Sequence, residues 1–230
     1  MTDTALLENR IGYAFKDKDL LKNALTHSSY ASENKLGYTA NNERLEFIGD
    51  AYVDAVVGMR LFDILEDSHE GVLSKYRADV VCEASLSDAA KSINLGEFLF
   101  LGKGEDSSGG RNKPSILADA FEALLGAIII DGGYDACKVV IIRLLDEKIK
   151  QAATGSLSRD FKTKLQERVQ ENNSNSVLTY KVMDEEGPDH NKTFTVSVSI
   201  NGVVCGTGTG SSKARAEQAA AENALSKGVK

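Results

Sequence analysis

Apolar residues recur at three- and four-residue steps over residues 45–65, the spacing that lines one face of a helix. Over residues 116–130 they crowd almost continuously with no turn signal inside, which predicts a helix apolar around most of its circumference. Such a helix belongs at the centre of a domain. Further helical patterns cover residues 72–93 and 135–150, and Gly132-Gly133 interrupts the pattern before the last of them. Nothing before residue 150 alternates as a strand does. Residues 102–114, rich in Gly, Ser and charge, read as a mobile loop without a phosphate-gripping P-loop pattern.

The pattern then changes. Residues 151–158 gather small and polar side chains around Gly155 and read as a short flexible linker. A helix is predicted over residues 160–171. Residues 177–183 alternate, and residues 193–200 alternate more cleanly, with Phe194, Val196, Val198 and Ile200 on one face. Asn201-Gly202 is a two-residue hairpin signal that returns the chain as a third strand over residues 203–206. The following Gly-Thr alternation reads as a strand-to-helix turn, and Ser211 or Ser212 can cap an Ala-rich helix reaching about residue 226. The predicted architecture is therefore an all-α domain over residues 1–150, a linker over 151–158, and a small α+β domain of order α-β-β-β-α over 159–230.

Charge sharpens this division. The chain of 230 residues carries a formal charge of −7, which at first argues against a nucleic-acid partner. Residues 1–158 hold 17 basic against 25 acidic residues, whereas residues 159–230 hold 10 against 9, so the acidity belongs to the first part. Cys82, Cys137 and Cys205 are far apart and form no CxxC pair, which speaks against a disulfide framework or a Cys-based zinc site. The N-terminal residues lack the build of a secretion signal, and no stretch of about 18 apolar residues occurs. A cytoplasmic protein without a membrane partner is expected. His27, His69 and His190 form no triad or metal motif, and Gly206-Thr-Gly-Thr-Gly210 is no dinucleotide fingerprint, so no organic cofactor is expected.

The acidic residues are placed with more pattern than their number requires. Glu43, Glu46 and Asp50 fall at i, i+3 and i+7 on one helical stripe, and Asp119 and Glu122 fall at i and i+3 on the apolar helix. Burying an unpaired carboxylate costs several kcal/mol or forces it to take up a proton, so a pair on one buried helix needs compensation. A hard divalent cation such as Mg²⁺, with Mn²⁺ as substitute, is one solution, and it suits phosphodiester hydrolysis. Spacing alone leaves another open: a solvated face on the first helix, and ion pairs from a neighbouring helix on the second.

The segment Asn42-Glu-Arg-Leu-Glu-Phe-Ile-Gly-Asp-Ala51 resembles the signature of the ribonuclease III family. Leu25-Thr-His-Ser-Ser-Tyr30, Glu70-Gly-Val-Leu-Ser-Lys-Tyr-Arg-Ala78 and Ile116-Leu-Ala-Asp-Ala-Phe-Glu-Ala-Leu-Leu-Gly-Ala127 are similar to further family segments, in family order. The resemblance implies metal-dependent cleavage of double-stranded RNA to 5′-phosphate and 3′-hydroxyl ends with short 3′ overhangs, in the processing of ribosomal precursors and structured messenger RNAs. It places Glu46, Asp50, Asp119 and Glu122 at the metal site, with Asp50 and Glu122 catalytic, and puts Glu43 and Glu70 near the scissile strand. It also implies a homodimer, with Phe47 at the dimer contact.

Asp160-Phe-Lys-Thr-Lys-Leu-Gln-Glu167 and the segment 206–220 resemble the two ends of a double-stranded-RNA-binding domain, which reads A-form shape through minor-groove 2′-hydroxyls and phosphates. The resemblance assigns Thr163, Gln166 and Glu167 to one minor groove, Pro188 and His190 to a second contact, and Lys213 to a phosphate. Ala214 and Glu217 depart from the more basic pattern of many relatives, so weaker phosphate gripping is expected.

Overall fold

The computed structural model describes residues 4–37, 39–155, 157, 161–172, 175–187 and 192–228. The chain divides into two compact units, residues 1–157 and 158–230, each with its own apolar core.

The first unit is helical. Three short helices, α1 (Thr4–Ile11), α2 (Lys18–Ala24) and α3 (Ser28–Glu33), precede α4 (Glu43–Ile64). The chain continues through α5 (Glu70–Val81), α6 (Glu83–Ser92), α7 (Lys103–Ser107) and the 40-residue α8 (Pro114–Ala153). The apolar stretch predicted over 116–130 is the centre of the unit, with Leu117, Phe121, Leu124, Leu125 and Ile128 almost fully buried. Against it packs α4, which turns Leu45, Val53, Val57 and Leu61 inward. Gly133, at φ 83°, kinks α8 where the glycine pair predicts a break.

Three expectations for this unit need correction. Residues 72–93 are not one helix: Cys82, at φ −67° and ψ 154°, ends α5 and starts α6. That is ordinary extended backbone, needing neither Gly nor Pro, so no residue type marks the corner. Residues 102–114 are ordered, with α7 and a 3₁₀ turn over Gly110–Asn112. The Arg111 guanidinium binds this segment down, donating to the carbonyls of Gly96 (3.0 Å) and Leu99 (2.9 Å) and to both oxygens of Asp106. Finally, helix α8 consumes residues 151–153 of the expected linker, because Ala152 is fully buried against the core. The helix then closes on Gly155 at φ 69°, a left-handed C-terminal residue.

The second unit runs α9 (Phe161–Asn172), β1 (Leu178–Glu186), β2 (Thr193–Ile200), β3 (Val203–Gly210) and α10 (Lys213–Ser226), with the antiparallel strands in the order β1-β2-β3. Asn201 (φ 50°) and Gly202 (φ 85°) form the tight turn between β2 and β3. Inward-facing Val196 and Val198 pack with Leu165 and Val169 of α9 and with Ala216, Ala220, Ala221 and Ala224 of α10. Strand β3 runs past residue 206, where a turn is expected, to Gly210. The reason is steric: a Cβ at Gly206, Gly208 or Gly210 would collide with the α10 backbone at Ala220, Ala219 or Ala216. The Gly-Thr alternation is a strand with a bare inner face.

Candidate active site and RNA-binding surface

Two helices bring the acidic residues of the first unit together: α4 carries Glu43, Glu46 and Asp50, and α8 carries Asp119 and Glu122. They touch at a pair of glycines. An added Cβ at Gly49 would overlap the carbonyl oxygen of Glu122 and lie 3.0 Å from the amide nitrogen of Gly126. One at Gly126 would overlap the carbonyl oxygen of Leu45 and lie 3.2 Å from the amide nitrogen of Gly49. The backbones therefore meet within a turn of the carboxylates on either side.

Across this crossing, Glu46, Asp119 and Glu122 each offer a carboxylate oxygen, and the three atoms lie within 4.8 Å of one another. All three residues are half-buried. No ion pair among the described residues involves these three or Asp50, so the alternative of pairing with a neighbouring Lys or Arg finds no partner there. The crowding raises their affinity for protons. Glu122 is pushed up to about 8, first by burial and then by the charges of Asp50, Glu46, Asp119 and Asp54. Glu46 is raised by burial and by Asp119, Glu43 and Asp50. Asp119 is raised by burial and Glu83, against an opposing effect of His27. An oxygen-only set of uncompensated carboxylates fits Mg²⁺ or Mn²⁺, which would neutralise the crowded charge.

The other expected residues stand further out. Asp50 is exposed and outside the tight trio, although its charge is the strongest raising Glu122. Glu43 is exposed at the start of α4. Glu70 opens α5, exposed, and accepts a hydrogen bond from the Ser74 hydroxyl at 2.6 Å. Phe47 lies on the open side of α4, 78% exposed.

Sequence reasoning missed Gly49 and Gly126 as the contact that aligns the cluster, because a lone glycine within a helix reads as a mild defect. It also missed Glu83, whose closeness to Asp119 depends on the unmarked corner at Cys82. His27, which belongs to no triad or metal motif in the sequence, has a local role. Its Nδ1 accepts the Ser29 amide at 3.2 Å and caps α3, and its charge also acts on Asp119.

In the second unit, Thr163 and Gln166 of α9 are half-buried, and Glu167 is exposed on the side of the helix opposite the core residues Leu165 and Val169. Pro188 and His190 lie outside the described residues. Lys213 opens α10, whose N-terminus is capped by the Ser212 hydroxyl. Its ammonium pairs with Glu185 at 3.0 Å and lies 5.5 Å from the centre of the Phe194 ring. Glu217, the acid in a place often basic, pairs with Lys162 at 2.6 Å. Its charge is thus met inside the unit.

Comparison with known proteins agrees with both units. Residues 17–149 match the family model described as Ribonuclease-III-like, and residues 161–227 match the double-stranded RNA binding motif. A protein named Ribonuclease 3 from Caldanaerobacter subterraneus subsp. tengcongensis is 52% identical over 221 residues, 96% of either chain. Ribonuclease 3 of Pelotomaculum thermopropionicum is 50% identical over 222 residues, 96% of this chain and 92% of its own. The crystal structure of the nuclease domain of Campylobacter jejuni ribonuclease III matches with a TM-score of 0.59 at 45% identity, covering 64% of this chain and 96% of that domain. A second structure of that domain, at 44% identity, concerns structural flexibility in a region involved in its dimer formation. With its acidic helix crossing and its small α-β-β-β-α unit matched over nearly their full lengths, this chain belongs to the ribonuclease III family.

Proposed function

We propose that the chain is a divalent-metal-dependent endonuclease of double-stranded RNA, and that Glu46, Asp119 and Glu122 hold its ion. The carrying observation is that three carboxylates from two helices converge within 4.8 Å with no cation paired to them among the described residues. Mg²⁺, or Mn²⁺ in its place, supplies Lewis-acid polarisation of a phosphoryl group and a nucleophile near neutral pH. The chain's own residues set the charge and the access. Asp50, exposed and one helical turn from Glu46, is assigned a catalytic role, and Glu43 and Glu70, also exposed, are assigned to the substrate strand. The RNA-binding unit supplies the duplex through Thr163, Gln166, Glu167 and Lys213, with Pro188 and His190 assigned to a second groove contact. The products are 5′-phosphate and 3′-hydroxyl ends with short 3′ overhangs, and the substrates are structured ribosomal and messenger RNA precursors in the cytoplasm.

The active form is a homodimer. Phe47, Met59 and Phe62 leave a run of large apolar side chains exposed on α4, and Ile130, Tyr134 and Val139 do so on α8. A cavity of about 300 Å³ against α4 and α8 is lined by Asn23, Thr39, Arg44, Leu45, Ile48 and Ile130, room for a side chain of a second copy. No helix among the described residues is long and apolar enough to cross a membrane.

The direct test is to incubate the protein with a long RNA duplex, with and without Mg²⁺. Metal-dependent cutting to ends of the stated chemistry is expected. Retention of the duplex without cutting would instead make the chain an RNA-binding protein.

A further inference from the structure

The contact between Gly49 and Gly126 does more than tighten a core. Helices packed through ordinary side chains keep their axes about 8–10 Å apart, and carboxylates on them would have to span that gap. Here the backbones meet: the space that a Cβ of Gly49 would need is occupied by the carbonyl of Glu122, and the space at Gly126 by the carbonyl of Leu45, the residue before Glu46. Each glycine therefore abuts the backbone beside a carboxylate carrier of the opposite helix. Both are fully within the unit, in a core where nothing can yield without moving a helix. Gly58, about two and a half turns along α4, makes a useful contrast. A Cβ there would meet only the Cδ of Arg77, at an ordinary 3.6 Å.

We infer that Gly49 and Gly126 are positioning residues of the metal site: by letting α4 and α8 touch, they set the spacing at which Glu46 on one helix and Asp119 and Glu122 on the other can share a single ion. This rests on the metal-site reading of the three carboxylates and adds what determines their distance. A methyl group inserted at either glycine forces the helices apart near the ligands and opens the trio. Mg²⁺ and Mn²⁺ tolerate little departure from octahedral geometry at short metal–oxygen distances, so a small widening is enough to weaken binding.

The test measures Mn²⁺ binding to the full chain, from the electron paramagnetic resonance signal of free Mn²⁺, for the unsubstituted protein and for Gly49→Ala, Gly126→Ala and Gly58→Ala. Thermal unfolding is followed in parallel. The two crossing variants are expected to bind Mn²⁺ about 10–100-fold more weakly while still unfolding cooperatively, the scale typical of disturbing a ligand's support. Gly58→Ala is expected to bind as the unsubstituted chain does. Adding Asp119→Glu to Gly126→Ala lengthens one ligand by a methylene and is expected to restore part of the affinity, which a purely structural role would not permit. Unchanged Mn²⁺ affinity in a folded crossing variant overturns the inference, and so does failure of both crossing variants to fold. Absence of Mn²⁺ binding by the unsubstituted chain overturns the metal-site reading itself, a result distinguishable from the other two.

Discussion

The two units treat charge in opposite ways. In the helical unit, Glu46, Asp50, Asp119 and Glu122 crowd one another and meet no cation among the described ion pairs. In the α+β unit, the cations near the expected RNA surface already have partners: Lys162 with Glu217 and Lys213 with Glu185. The first arrangement stores repulsion that a divalent ion relieves. The second is neutralised in advance, so a phosphate reaching Lys213 as proposed would have to displace Glu185, which would limit affinity and suit a surface that reads shape more than charge. The net charge of −7 does not oppose RNA binding by the second unit, because residues 159–230 hold 10 basic against 9 acidic residues and the excess acidity lies before them.

The largest effect should come from removing one member of the uncompensated set. Glu122→Gln keeps the shape and removes a charged ligand, so cleavage of a long duplex should fall by about 10²-fold or more while duplex binding in a gel-shift assay is retained. Near-normal cutting by this variant would erase the contrast between the units.

A second effect is in the pH dependence of stability without metal. Glu122 ordinarily titrates at 4.5 and is pushed up to about 8 in the folded chain. Between those values the folded chain holds a proton that the unfolded chain has released, so stability falls as pH rises through that window. The metal-free thermal midpoint should therefore drop from about pH 5 to about pH 8, and Glu122→Gln should flatten the slope. Added Mg²⁺ should reverse the drop, because it competes with the proton. An identical slope in both proteins would show that the repulsion is dissipated elsewhere.

In the second unit the effects are smaller. Lys213→Ala should weaken RNA binding across sequences and reduce the salt slope of binding by about one, the contribution of a single phosphate contact. An unchanged slope would take Lys213 off the RNA surface. Smallest of all, Glu185→Gln should strengthen RNA binding by about 1.4- to fivefold at low salt, since an exposed ion pair is worth only about 0.2–1 kcal/mol. Weaker binding by this variant would mean that Glu185 organises the surface and does not mask it.

Much of this was legible in the sequence, for identifiable reasons. Apolar spacing announced α4 and the buried part of α8, because a 3.6-residue period and a continuous apolar run leave few other structures open. Asn201-Gly202 announced its hairpin through left-handed φ angles. Cys82 hid a corner, because an extended residue of no special type can end a helix. Arg111 hid the order of residues 102–114, because the contacts that tie it back to residues 96–99 are to carbonyls, and carbonyls have no residue identity. The spacing of the acids on each helix was legible in the pattern, whereas their convergence followed only from the family resemblance. That convergence depends on Gly49 meeting Gly126, 77 positions away, and a contact between two absent side chains leaves no trace in a hydropathy pattern.

The bare inner face of β3 has a further consequence. With Gly206, Gly208 and Gly210 beneath it, α10 rests on the strand like a beam on three bearings, and Lys213 sits at one end of that beam. A helix of 14 residues is about 21 Å long, so a shim of one methyl group at Gly210 would lift the lysine end, and one at Gly206 would rock it the opposite way. The aim of this cation is thus governed by positions that carry no functional group of their own.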